Sequence, residues 1–109
     1  MDARVTTVID TMRRSLGNRL TIHTLSSQVN LSPSRLRQLF TRETGRSPMQ
    51  YLNELRMKRA EELLASSFLS IKQVVFLSGL NDVSHFGRSF RKEHGLTPSE
   101  FRARRRRCE

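Results

Sequence analysis

Apolar residues recur along this chain with the period of an α-helix and nowhere with the alternation of a strand. Val5, Val8, Ile9, Met12 and Leu16 follow i, i+3, i+4, i+7, which predicts an amphipathic helix over about residues 4–16, ended by Gly17 and Asn18. Thr21 is placed to cap a short second helix to Val29, with Leu25 and Val29 inward, and Asn30 suits the left-handed position after it. Ser32-Pro33 opens a third helix, with Ser as N-cap and Pro first in the helix, and Gly45 ends it. Ser47-Pro48-Met49-Gln50 is a capping box that starts a long helix to about Ala65. Ser70 begins a helix over Ile71 to Ser78, Asp82 caps one from Val83 to His94, and Thr97-Pro98-Ser99-Glu100 starts a short last one. The expected fold is all-α: seven helices, in two helix-turn-helix subdomains joined by a long central helix.

The pattern occurs twice. Ile22 matches Ile71 at an offset of 49. After one extra residue in the inner turn the offset becomes 50, pairing Leu36 with Phe86, Phe40 with Phe90, Gly45 with Gly95, Pro48 with Pro98 and Tyr51 with Phe101. The expected boundaries are 1–46 for the first subdomain, 47–66 for the linker helix, 67–103 for the second subdomain and 104–109 for a basic tail. Two short helices around a tight turn, twice and in register, point to a helix-turn-helix pair, whose second helix suits the DNA major groove.

Helical wheels sharpen this. In the third helix Leu36, Leu39 and Phe40 share one face; Ser34, Gln38, Thr41 and Arg42 lie opposite, flanked by Arg35 and Arg37. In the sixth, Val83, Phe86 and Phe90 share one face; Ser84, Arg88 and Arg91 lie opposite, flanked by His85 and Lys92. Neither outer face carries a carboxylate, whereas an ordinary solvated helix mixes signs. The net charge is +10, from 20 Lys and Arg against 10 Asp and Glu, which favours a polyanionic partner. Arg88 can donate two bonds to guanine O6 and N7, and Gln38 suits adenine N6 and N7. Ser34 and Ser84 sit at helix starts, where base edges or phosphates are in reach. Arg42, Arg91 and Lys92 lie further along and suit the backbone. Gly87 lowers helix propensity by up to about 1 kcal/mol relative to Ala and fits a close approach, either to a neighbouring helix or to DNA.

Several features group together at this point: Leu25 to Leu31, Arg35 to Gly45 with Pro48 and Tyr51, Arg56-x-x-x-Ala60-x-x-Leu63-Leu64, and Gly79 through Phe90-Arg91-Lys92 to Gly95 and Pro98. With them, from about Val5 to Arg102, the chain resembles the DNA-binding domain of AraC/XylS-family transcription regulators. The resemblance implies two helix-turn-helix units on one long helix, with Ser34 to Thr44 and Val83 to His94 entering successive major grooves of double-stranded DNA at an operator or promoter. It also allows RNA polymerase as a protein partner, and either a stand-alone regulator or a separate sensing or dimerising domain in a longer chain. Ser26-Ser27-Gln28-Val29 departs from the family's alanine-like residues, and Val74-Val75-Phe76-Leu77 is unusually apolar. Phe76 is expected to pack on the long helix, with a partner surface as the alternative.

Other chemistry is sparse. No Ser/His/Asp arrangement or Gly-rich phosphate loop stands out, so no enzyme, cofactor or metal is expected. The three histidines, His23, His85 and His94, have no metal-ligand spacing among them. Glu54, Glu61 and Glu62 are expected to pair with Lys58 and Arg59 along the long helix, unless Arg59 turns inward. The run from Arg102 to Arg107 is expected to be a frayed, solvated end, with non-specific phosphate contact as the alternative. Cys108 is the single cysteine, and no apolar run nears the roughly 18 residues of a membrane span. A cytoplasmic location, no signal peptide, no membrane contact and a monomeric state in isolation are expected. The rival readings are an RNA-binding or architectural protein acting by charge alone, and a protein-docking module.

Overall fold

The computed structural model describes residues 1–107. Among these, seven α-helices and no strand are present: α1 (Ala3–Arg14), α2 (Ile22–Gln28), α3 (Pro33–Thr44), α4 (Pro48–Ser66), α5 (Ile71–Leu77), α6 (Val83–His94) and α7 (Pro98–Arg107). The chain divides into two units inside α4, between Leu55 and Arg56.

Local chemistry accounts for the helix ends. Asp2, Thr21, Ser32, Ser70 and Asp82 each accept a backbone N–H of the helix they cap, satisfying a donor that the helix itself leaves open. Reciprocal capping boxes join Ser47 to Gln50 and Thr97 to Glu100, as expected, and also Thr21 to Thr24 and Ser70 to Gln73. Asn30 at φ 58° and Gly79 at φ 84° occupy matching left-handed positions. α1 ends at Arg14, short of Leu16, because Ser15 already leaves helical backbone at φ −128°.

In the first unit, Val5, Val8, Ile9 and Met12 of α1 meet Leu25 of α2, Leu36, Leu39 and Phe40 of α3, and Leu52 of α4. Phe40 and Tyr51 pack edge to face at 5.4 Å. Polar ties fasten α1 at both ends: Thr11 Oγ1 donates to Gln28 Oε1 at 2.9 Å, and Glu43 accepts the Asp2 N–H at 2.7 Å.

In the second unit, Ala60 and Leu64 of α4 meet Val74 and Val75 of α5 and Phe86 and Phe90 of α6. An aromatic column of Phe86, Phe90, Phe101 and His94 fills the side towards α7, with Phe90 and His94 ring centres 4.3 Å apart. Arg102 donates to the carbonyls of Leu64 and Leu69, closing the C-terminal end of α4.

Three expectations are corrected here. The arginine run continues α7 to Arg107 instead of fraying, since arginine is a strong helix former and the turn before it is anchored by Phe101 and Arg102. Val83 is 41% exposed despite its wheel position, because it is the first residue of α6, whose share of the core cluster begins at Phe86. Phe76 and Leu77 are each 57% exposed: Val74 and Val75 already fill the inward face of α5. Cys108 and Glu109 lie outside the described residues, so the expected 104–109 tail is seen only in part.

Candidate nucleic-acid interface

Each unit holds its helix pair with the same backbone bonds. In the first, Leu31 N donates to Ser26 O at 3.0 Å and Asn30 N to Ser27 O at 3.2 Å. In the second, Leu80 N donates to Val75 O at 3.0 Å and Gly79 N to Phe76 O at 3.1 Å. These are the same positions at the offset of 49, so one turn geometry is built from two different sequences. The extra residue of the second copy falls after Leu80, just before the Asp82 cap.

The turn fixes how the following helix leaves. α3 buries Leu36, Leu39 and Phe40, and α6 buries Phe86 and Phe90. Their opposite faces are therefore turned to solvent. Ser34, Arg35, Arg37, Gln38, Thr41 and Arg42 are all exposed on α3, and Ser84, His85, Arg88, Arg91 and Lys92 are all exposed on α6. Among the described residues, no side-chain hydrogen bond or salt bridge holds any of these eleven side chains. They are free to meet a partner without first breaking an intramolecular bond.

The sign of charge is sorted between faces. The acidic residues of α3 and α6 occupy equivalent positions, Glu43 and Glu93, outside the eleven residues of the cationic faces. Glu43 holds the start of α1 through the Asp2 N–H. Glu93 lies beside Glu61 and His94. The other carboxylates on the long helix pair locally: Glu54 with Arg46 at 2.8 Å and Glu62 with Arg59 at 3.3 Å. Glu54 thus takes an arginine outside its own helix, and Arg59 stays on the surface instead of turning inward.

Asp82 and Glu100 border the α6 face, Glu100 near enough to feel the charge of Arg91. Asp82 accepts the His85 N–H at 2.9 Å, and that bond is the main cause holding its carboxyl below the usual carboxylate range, with the charges of Arg88 and His85 acting in the same direction. An ionised cap at this end also favours the helix dipole.

Sequence spacing missed one cluster. Glu61, Glu93 and His94 place a ligand atom each within 4.8 Å of one another. His94 Nε2 pairs with Glu61 Oε1, which ties α4 to the C-terminal end of α6. The two partners are 33 residues apart, and no periodic signal links them. Gly87 has open space around it: a Cβ built there meets nothing within 4 Å. A neighbouring helix therefore does not account for the glycine.

A family model described as "Helix-turn-helix domain" matches residues 25–104, from within α2 through the second helix pair. The chain belongs to the AraC-type helix-turn-helix family. The regulator GadX of Escherichia coli O6:H1 is 38% identical over 104 residues, covering 95% of this chain and 36% of GadX. This AraC-type chain thus spans about a third of the length of the curated relatives it matches. The solved DNA-binding transcriptional dual regulator of Escherichia coli K-12 is 32% identical with a TM-score of 0.83, covering 98% of this chain and 96% of that one. The DNA-binding domain of AdpA, solved in complex with a target DNA, has a TM-score of 0.90 at 24% identity over 99% of this chain and 97% of that one, a likeness of fold. No helix among the described residues is long and apolar enough to cross a membrane.

Proposed function

We propose that this AraC-type domain binds double-stranded DNA sequence-specifically and serves transcription regulation, with α3 and α6 seated in successive major grooves. The observation that carries the reading is the exposed, acid-free and unpinned face that recurs at matching positions of both repeats. The roles divide by reach. Arg88 reads guanine through O6 and N7, and Gln38 reads adenine through N6 and N7. Ser34 and Ser84, at the first turns, meet base edges or phosphates, helped by the N–H groups at the helix starts. Arg35, Arg37, Thr41, Arg42, His85, Arg91 and Lys92 line the groove walls and fix register on phosphate. The unit acts as a monomer on an asymmetric site, because the two faces differ in sequence. No bond is made or broken, and the work is done in the cytoplasm, where the DNA is. A sensing domain and a contact with RNA polymerase belong to the same reading of a longer regulator.

Selection of bound duplexes from a random 25-base-pair pool at about 150 mM salt tests this. The expected result is two enriched blocks about one helical turn apart, roughly 34 Å. With 6–10 phosphate contacts, affinity should fall by roughly 10³–10⁵-fold between 50 and 200 mM salt, as read by fluorescence anisotropy. Tight binding without any enriched sequence would instead support an architectural or RNA-binding role.

A further inference from the structure

The structure assigns Gly87 a role that rests on the DNA-binding reading: we infer that the backbone of α6 at Gly87 lies directly against the wall of the DNA groove, and that the missing side chain sets how deeply this helix seats. Three observations converge. Gly87 stands in the middle of α6, where glycine weakens a helix, yet it is not among the left-handed glycines Gly45, Gly79 and Gly95. A Cβ at Gly87 meets no atom within 4 Å beyond its own stretch of helix backbone, so neither backbone conformation nor packing against another element requires glycine here. Of its helical neighbours one turn away, Ser84 and Arg91 are exposed on the cationic face while Val83 and Phe90 lie on the core side, so Gly87 stands on the flank of that face.

Geometry then makes the position critical. A helix with its side chains is about 10–12 Å across, and the major groove is about 12 Å wide. A residue on the flank of a seated helix therefore faces the sugar–phosphate wall with little room to spare. The first copy carries Arg37 at the equivalent position, at the offset of 50. A long cation there can lie along the wall and hold α3 further out. Glycine in the second copy lets the α6 backbone come closer, which brings Arg88, the next residue, deeper towards the base edges. The two reading helices thus differ in depth as well as in letters.

The test compares wild type with Gly87→Ala and with Gly87→Arg, which copies the first repeat. Each is melted by circular dichroism and titrated with the selected 25-base-pair duplex and with a scrambled duplex of the same composition. Gly87→Ala should raise the Tm by about 4–8 °C, the return of helix propensity. It should weaken binding to the selected duplex by about tenfold or more, with a much smaller loss on the scrambled one, where α6 is not fully seated. Gly87→Arg should weaken selected binding further despite its added charge. The inference is overturned if Gly87→Ala is more stable and binds the selected duplex within about twofold of wild type. It is overturned equally if Gly87→Ala lowers the Tm, which would give the glycine an internal role. Failure of the parent reading shows separately, as a wild-type chain that binds both duplexes alike, and that result would take the inference down with it.

Discussion

The two halves share a skeleton and differ in skin. Both cap their reading helix with a side chain that accepts from the third residue on: Ser32 from the Arg35 N–H and Asp82 from the His85 N–H. Both end it at a left-handed glycine, Gly45 and Gly95, and both follow with a Pro-initiated helix. What is buried matches in kind: Leu36 and Phe40 in one, Phe86 and Phe90 in the other. What is exposed does not match. Ser27 and Gln28 face solvent in the first half where Phe76 and Leu77 do in the second, and Arg37 stands where Gly87 does. The duplicated architecture therefore constrains the core, the caps and the turn, while the outward positions are free to read different partners. The long-range ties differ as well: the first half uses Thr11 with Gln28 and Glu43 with the Asp2 N–H, and the second uses Glu61 with His94 and Arg102 with two carbonyls.

The largest effect that tests this comparison comes from the shared core. Phe40→Ala and Phe90→Ala remove equivalent, fully buried rings and should each cost about 3–5 kcal/mol, read by urea unfolding. Near-equal losses would confirm the equivalence of the two cores; a loss in only one would break it.

The next effect separates the caps. Ser32 has no charge to lose, whereas Asp82 is held below its ordinary pKa by the His85 N–H and the nearby cations. A depressed carboxylate stabilises fully above its unfolded pKa, and that contribution disappears as pH falls through the folded value. On acidification below about pH 4 the start of α6 should therefore lose protection that the start of α3, capped by uncharged Ser32, keeps. Amide exchange across a pH series measures it, and Asp82→Ser should remove the difference between the starts of α3 and α6.

The smallest effect lies at Ser78, whose Oγ is buried with no hydrogen-bond partner among the described residues. The first copy has apolar Val29 at that place. Ser78→Ala should raise stability by about 0.5–1 kcal/mol, since the unsatisfied hydroxyl is removed. A loss of stability on thermal melting would mean that the hydroxyl is bonded after all.

How much of this could be read from the chain follows the range of the interaction. Caps, left-handed turn residues and helix periods are set by neighbours within four positions, so Thr21, Ser32, Asn30, Gly79 and Asp82 were legible, as was the solvent face of α3 and α6. The wheel fails where it must know how far the core extends: it turns Val83 inward although the α6 share of the core begins at Phe86, and it offers Phe76 for packing although Val74 and Val75 already fill that face. Charge alone suggests a frayed arginine run, while helix propensity and the Phe101 and Arg102 anchors decide its conformation. Glu61 with His94 and Arg102 with Leu64 and Leu69 join residues more than thirty positions apart, beyond any periodic signal.

The central claim is that one scaffold, used twice, reads two different blocks of bases. Repeating the duplex selection with Gln38→Ala and Arg88→Ala tests it most directly. The account predicts that each variant blurs one block and leaves the other sharp, with the blocks about one helical turn apart and about 1–3 kcal/mol of discrimination lost at the affected bases. Both variants blurring the same block, or neither changing the selected sequence, would contradict it.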